Sequence, residues 1–488
     1  MIALPFILNA LFNFVIGLLV AKFLGPSEYG RFALAFSAAI VVQTLCFDWL
    51  RLSATRFYSE QSRLARPEVR ATLNVMFAII ASLVLLAAIA IGFSGVKLPL
   101  STSLVALTVG AAITNGLFDF SAALVRSRFL DRTYGALVIV KNLLAISLTV
   151  GGAWYFGSAQ AALVGAMLSV IGSLTINAKA LNDETATPPR AERRLALNYA
   201  SYALPIILAN VLYQTVPMMN RGLVAEIHNF AEAGQLALAF ETGIRIIGAI
   251  GTSADIFLFQ LAVRAEMRYG PESARQRISA NMGLVFAVVL AVVAGCWLVL
   301  PSFEHLFIPG SFRGAFAHYF TLMLPAMMAF ALINYGVGPA FQISHRTLPL
   351  IICGLVGLVA NWLAIMLLPA SRDASTFAVA QSVSSCAALA TMLIFLTRLE
   401  PMWPRARDLI GAILAAGAMI LLVLPLRRFA PSVATLLMEA GAGACIYGFV
   451  AWGVDVAQLR SLLLPRAAAW LATRFALVGS GRSRSALD

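Results

Sequence analysis

A chain of 488 residues that is 60% hydrophobic and 12% charged differs from a soluble domain, where about 45–50% and about 25% are usual. A water-borne globule must still coat itself with polar side chains, so this composition, with a mean hydropathy of +0.87, calls for lipid as the solvent. The net charge of +13 sits in clusters between apolar runs. That is the mark of membrane topology, and it excludes the soluble basic face with interleaved aromatics that binds nucleic acid.

Apolar windows of about 20 residues recur from end to end. They predict an all-α polytopic membrane protein with about fourteen spans, at 3–24, 31–50, 71–93, 101–124, 134–156, 158–179, 199–224, 234–260, 278–300, 316–340, 347–369, 374–397, 407–426 and 431–453. The first has no basic leader and no small-residue cleavage site, so it reads as a span and not as a signal peptide. After the sixth, Asn182-Asp-Glu-Thr-Ala-Thr-Pro-Pro-Arg190 reads as a flexible linker. The expected organisation is an N-terminal six-helix lobe (1–180), a cytoplasmic linker (181–198), a C-terminal six-helix lobe (199–400) and two additional helices (401–454). A basic, amphipathic and then disordered cytoplasmic tail (455–488) follows.

Arginine and lysine set the orientation. Even-numbered connections carry Arg56, Arg63, Arg66 and Arg70; Arg128 and Arg132; Lys179, Arg190, Arg193 and Arg194; Arg264, Arg268, Arg275 and Arg277; and Arg405 and Arg407. The odd-numbered ones carry one or two each, and the fifth carries none. Positive charge stays inside, which predicts that both termini are cytoplasmic.

The sequence also echoes itself. Glu28-Tyr-Gly-Arg-Phe-Ala-Leu-Ala-Phe36 opens span two, and Glu232-Ala-Gly-Gln-Leu-Ala-Leu-Ala-Phe240 opens span eight. Asn142-Leu-Leu-Ala-Ile146 in span five is echoed by Asn361-Trp-Leu-Ala-Ile365 in span eleven. Both place the second half six spans after the first. Two lobes related in this way are characteristic of alternating-access transporters.

A charge at mid-bilayer costs about 2.5–3.5 kcal/mol on insertion scales, so each asks for a reason. Candidates for a cationic cavity that holds phosphate are Arg245, Lys141, Arg221, Arg51 and Arg126, because a guanidinium binds phosphate through two parallel bonds. Asp119, Asp255, Glu241 and Asp48 are candidate counter-charges or coupling groups. Arg51, Arg56 and Arg126 serve equally well as topology anchors that snorkel to the headgroups. Asp48 with Arg51, and Glu241 with Arg245, serve equally well as self-neutralising helix pairs. Pro205 and Pro217 are expected to interrupt span seven, and Pro325 and Pro339 span ten. Five scattered cysteines and four isolated histidines suggest no disulfide frame, metal site or cofactor.

The run Phe12-Asn-Phe-Val-Ile-Gly-Leu-Leu-Val-Ala-Lys-Phe-Leu-Gly-Pro-Ser-Glu-Tyr-Gly-Arg-Phe-Ala-Leu-Ala35 resembles the first hairpin of bacterial polysaccharide transporters. These are the O-antigen (Wzx-type) and exopolysaccharide flippases of the multidrug/oligosaccharidyl-lipid/polysaccharide (MOP) exporter superfamily. The Leu-Gly-Pro-x-x-Tyr-Gly turn is its most specific part. The resemblance implies a V-shaped pair of six-helix lobes around a cationic cavity, with helices thirteen and fourteen outside. It implies as cargo an undecaprenyl-pyrophosphate-linked oligosaccharide, moved across the inner membrane for lipopolysaccharide, exopolysaccharide or capsule. Membrane lipids, an H+ or Na+ coupling ion, a polysaccharide polymerase and glycosyltransferases are the partners it suggests, with no nucleic acid. Arg221 departs from the acidic residue of many relatives, which leaves the coupling ion open. An ion-coupled multidrug exporter of the same superfamily, and a membrane-embedded polymerase or ligase, are the alternatives. The second is disfavoured because no predicted outer connection exceeds about 15 residues.

Overall fold

The computed structural model describes residues 3–59, 66, 68–94, 99–183, 191–343, 347–399, 402–456 and 460, with backbone alone at 3–7, 250, 252–257, 259–266, 271, 274, 342, 343 and 399. The tail expected from 455 onward falls outside the described residues except at Asp455, Val456 and Arg460, as does the middle of the linker at 184–190.

Twelve helices among the described residues are long and apolar enough to cross a membrane. The first of them holds two spans. Helix α1 (Ala3–Cys46) turns at Gly25, where φ is +70°, a left-handed conformation that glycine adopts without a Cβ penalty, and Pro26 starts the second arm. The 40-residue helix α8 (Phe230–Tyr269) is about 60 Å long, enough by length to cross a bilayer, although it is not among those twelve. The twelve are close to the fourteen spans that hydropathy predicts.

The N-terminal lobe comprises α1, a short continuation α2 (Asp48–Phe57), α3 (Glu68–Phe93), α4 (Thr102–Ser127), α5 (Asp131–Ala145) and α6 (Ala159–Ile176). A π turn at Ile146–Val150 and the stretch Gly151–Phe156 prolong α5. The second lobe comprises α7 (Arg193–Ile227), α8, α9 (Pro271–Phe307), α10 (Ala315–Ala331), α11 (Leu348–Leu367) and α12 (Ser375–Leu399). Here a π turn at Leu332–Val337 and the stretch Gly338–Ile343 prolong α10. Helices α13 (Ala406–Val423) and α14 (Val433–Val454) pack against each other and against α9, outside both lobes. Leu83, Leu86 and Phe93 on α3 face outward, as lipid-facing residues do.

The largest buried cluster lies where the lobes meet and includes Val20, Tyr29, Ala237, Phe316 and Met323. There the second arm of α1 crosses α8 at two glycines. A Cβ at Gly30 would run into the carbonyl of Phe230, and a Cβ at Gly234 into the carbonyl of Pro26. Small residues let the backbones approach this closely. Gly30 and Gly234 hold the same place in the two echoed segments, so the repeats pack on each other. Gly30 therefore serves close contact, and Gly25 alone makes the turn.

The echoes recur as equivalent contacts. Glu28 accepts from the backbone N–H of Ala159 at 2.9 Å, at the start of α6. Glu232 accepts from the Tyr319 hydroxyl, whose oxygen accepts from the N–H of Ala374 at 3.1 Å, beside the start of α12. Asn142 donates to Asn9 at 3.0 Å, joining spans five and one. Asn361 and Asn220 exchange hydrogen bonds at 2.8 and 3.1 Å, joining spans eleven and seven.

One local expectation needs correcting. Helix α7 runs unbroken through Pro205 and Pro217. Proline removes one backbone donor, and neighbouring helices hold the axis together at that point. In the linker, the described residues Asp183 and Glu192 have partners in the N-terminal lobe. Asp183 accepts from the Tyr58 hydroxyl at 2.7 Å and pairs with Arg128 at 3.6 Å, while the N–H of Glu192 donates to Thr72 at 2.9 Å.

Candidate functional site

A cavity of about 400 Å³ opens between the lobes. On the N-terminal side it is lined by Ser37, Ile40, Thr44, Asp48 and Arg51. Steps of three and four residues keep these on one stripe, continuing from the second arm of α1 into α2. The same spacing brings Gln214, Pro217 and Arg221 from α7 into the wall, and Gln381, Ser384 and Ala388 from α12. Phe240 and Glu241 come from α8, and Asn334 from the π turn that follows α10. Glycines at 354 and 357 let α11 approach closely enough to close that side.

At one end of the cavity three charges meet. Arg221, only 5% exposed, donates to the Ser37 hydroxyl through Nη1 and to Glu241 at 2.7 Å through Nη2. Arg245 lies one turn along α8, with Nη2 3.8 Å from the other oxygen of Glu241 and Nη1 donating to the backbone carbonyl of Asn13 at 2.7 Å. The guanidinium of Arg245 occupies the space beside Gly17 on the first arm of α1. Both lobes thus contribute to this cluster. Two guanidinia share one carboxylate, which leaves one formal positive charge in excess. Past this floor the lobes close at Gly30 and Gly234, with Tyr29 edge-on to Phe312 at 5.8 Å.

The rim carries a second charged pair. Arg51 grips Asp48 with two bonds of 3.2 and 3.3 Å, a fork that is formally neutral. Fourteen residues separate Ser37 from Arg51, or roughly 20 Å along the axis. The cavity therefore has charge at both ends.

The remaining candidates stand elsewhere. Asp119 accepts from Gln43 at 2.8 Å inside the N-terminal lobe, within electrostatic reach of Arg51, Asp48 and Lys141. Lys141 sits 4.9 Å over the ring of Phe118. Neither lines the cavity. Arg126 is exposed at the end of α4 and lies over Tyr134 at 5.8 Å. The side chain of Asp255 is outside the described residues. Among the described residues, no three His, Cys, Asp or Glu side chains gather as a metal site would require.

A charge census of the sequence overlooks the uncharged half of the wall. Gln381 is almost wholly buried and its Nε2 has no hydrogen-bond partner; the Tyr213 hydroxyl is likewise buried and unpartnered. A primary amide in an apolar span is itself a signal, since membrane helices place such groups inward.

No protein-family model matches the sequence, and no curated protein matches it. Solved structures do match in fold. The lipid II flippase MurJ, in an inward closed conformation, gives a TM-score of 0.73 at 10% identity, over 95% of this chain and 99% of that one. An inward-facing multidrug resistance MATE family transporter of the MOP superfamily gives 0.61 at 14%, over 81% of this chain and 95% of that one. An outward-facing MATE structure gives 0.56 at 13%, over 82% and 95%. The chain is a multi-pass membrane protein with the MurJ- and MATE-like MOP fold. At these identities the likeness concerns architecture.

Proposed function

We propose that this protein is a flippase for an anionic lipid-linked headgroup, moving an undecaprenyl-pyrophosphate-linked oligosaccharide from the cytoplasmic to the outer leaflet of a bacterial inner membrane. One observation carries the reading: two arginines share one carboxylate at the floor of a cavity between two lobes. An uncompensated positive charge within the membrane is expensive, and a phosphate oxygen supplies what it lacks. Arg51 at the rim and Arg221 at the floor are the phosphate contacts, and Arg245 acts through Glu241. The lipid tail stays in the bilayer while the lobes rock about the Gly30–Gly234 crossing. Asp119 and Lys141 lie inside the N-terminal lobe, away from the cavity lining and within electrostatic reach of the rim residue Asp48, a grouping suited to an H+ or Na+ coupling role.

The multidrug reading draws on the MATE likeness. Cationic drugs need carboxylate in excess, and this floor has the opposite sign, which favours the anion. Short outer connections, such as those from Ile227 to Phe230 and from Leu367 to Ser375, favour a transporter over a polymerase or ligase. Glycosyltransferases and a polymerase of polysaccharide assembly are then the expected partners.

The test uses the full chain in proteoliposomes with fluorescent undecaprenyl-pyrophosphoryl-N-acetylglucosamine in the inner leaflet, read by its appearance outside. Arg221→Gln is expected to slow appearance at least tenfold. Unchanged flipping in an Arg51→Gln/Arg221→Gln double variant, or transport of ethidium in place of the lipid, would overturn the proposal.

A further inference from the structure

Helix α4 ends in an unusual cap. The N–H of Leu130 donates to the carbonyl of Val125 at 3.2 Å, and the N–H of Phe129 to that of Arg126 at 3.0 Å. These are the paired bonds of a Schellman motif, whose left-handed residue is ordinarily glycine. Here it is Phe129, with φ at +55°. A side chain in that conformation costs free energy, and the ring recovers none of it by packing, since it is 82% exposed. Cations surround the ring. Arg128 is committed within the protein, to the carbonyl of Asn182 at 3.2 Å and to Asp183 at 3.6 Å. Arg126 and Arg132, three residues to either side of Phe129, are exposed, and so is Lys179 on the short turn Ala178–Leu181. The Arg128–Asn182 bond holds that turn beside the cap. Asp131, also exposed, offsets one of the three cations and leaves two positive charges in excess.

We infer that this cap is a docking surface for anionic phospholipid, with the Phe129 ring inserted among the headgroups and Arg126, Arg132 and Lys179 on their phosphates. The arginine and lysine distribution assigns this end of spans four, five and six to the cytoplasm, the side on which a membrane presents anionic lipid. Charge complementarity then selects the lipid. The ring supplies the second half of the fit: in water it gains nothing for its backbone cost, whereas at the boundary of headgroups and acyl chains its apolar surface is buried. A soluble acidic partner would match the charges but would leave the conformation of Phe129 without a return. The surface lies outside the cavity, so it stands whether or not the flippase reading does.

The experiment places the full chain in nanodiscs made of equal parts phosphatidylglycerol and phosphatidylcholine, and native mass spectrometry counts the lipids that stay bound on release. The wild type is expected to retain phosphatidylglycerol in preference. Arg126→Gln/Arg132→Gln/Lys179→Gln should lower that preference at least about fivefold, the worth of one such cation near the surface. Arg193→Gln/Arg194→Gln/Arg268→Gln removes the same charge from exposed positions elsewhere on the predicted cytoplasmic side, and should lower it by less than about twofold. Phe129→Trp reads the depth of the ring: its added fluorescence should be quenched by lipids brominated near the headgroup end of their chains and spared by iodide in the water. Equal losses in the two triple variants would overturn the docking surface. Quenching of Phe129→Trp by iodide and not by bromine would do so as well, because the ring would then stand in water.

Discussion

Glu241→Gln tests the charge arrangement in two ways of opposite sign. Glutamine keeps the shape of the side chain but removes the negative charge that Arg221 contacts at 2.7 Å and Arg245 at 3.8 Å. Breaking a buried ion pair from one side typically costs about 3–5 kcal/mol, because the other charge remains buried. Arg221 keeps Ser37, Arg245 keeps the Asn13 carbonyl, and the Glu241 side chain is 31% exposed, so a loss of about 2–4 kcal/mol is expected here. Unfolding entropy of about 2 cal/mol/K per residue, over 488 residues, converts this to a fall in Tm of about 2–4 °C. The formal charge of the floor rises from +1 to +2, so farnesyl pyrophosphate should bind more tightly, by up to about tenfold, while release and flipping slow. Tryptophan-fluorescence melting and a binding titration on the same sample read both effects. In a cycle with Arg221→Gln, the double variant should recover at least about 1 kcal/mol relative to the sum of the singles. A wild-type Tm, an additive cycle, or weaker pyrophosphate binding by Glu241→Gln would refute the reasoning.

Two further substitutions test the frame. Asn361→Leu leaves Asn220 buried without its partner, which should cost about 1–3 kcal/mol, whereas Asn220→Leu/Asn361→Leu should cost less than the two singles summed; melting of the three variants decides it. Glu439 on α14 is 2% exposed with both carboxylate oxygens unpartnered, although Arg427, stacked 4.7 Å over Trp297, lies within electrostatic reach. Glu439→Leu should therefore leave the Tm unchanged or raise it, and a fall of more than about 2 °C would show that this carboxylate holds α13 and α14 in place.

The helical architecture was legible because lipid demands runs of about 20 apolar residues and permits few other solutions. The span count follows from that single constraint, whereas the two lobes with two extra helices rest on the echoed segments and the family resemblance. The charged floor was only partly legible. The sequence offers Arg245, Arg221 and Glu241 as candidates, but Arg221 lies near the end of span seven and the linear pattern does not show its burial. Its burial comes from Glu241 and Ser37, which reach it from two other helices, and no linear pattern encodes that meeting. Lys141 and Asp119 show the reverse. They are deep in the sequence sense, yet a Phe118 ring and Gln43 hold them inside one lobe. Gln381 and Tyr213 carry no charge, so an inventory of charges passes over them.

The echoed segments give the two lobes matched internal joints although the lobes differ at the cavity. Each lobe carries an Asn–Asn bridge between its first and fifth spans, and each uses the glutamate that opens its second span to tie down the start of its sixth. In the N-terminal lobe Glu28 reaches the N–H of Ala159 directly. In the second lobe Tyr319 is inserted between Glu232 and Ala374, which widens the same joint by one side chain. Buried polar bridges are costly to break in lipid, so they stiffen each lobe from within. Between the lobes the backbones meet closely at Gly30 and Gly234, and the Arg221–Ser37–Glu241 cluster is a polar tie across the seam. If the lobes move as the flippase proposal requires, the seam is where they do so: the glycine crossing leaves room for rotation, and an anion competing for Arg221 would loosen its hold on Glu241, so that binding and movement would depend on the same guanidinium.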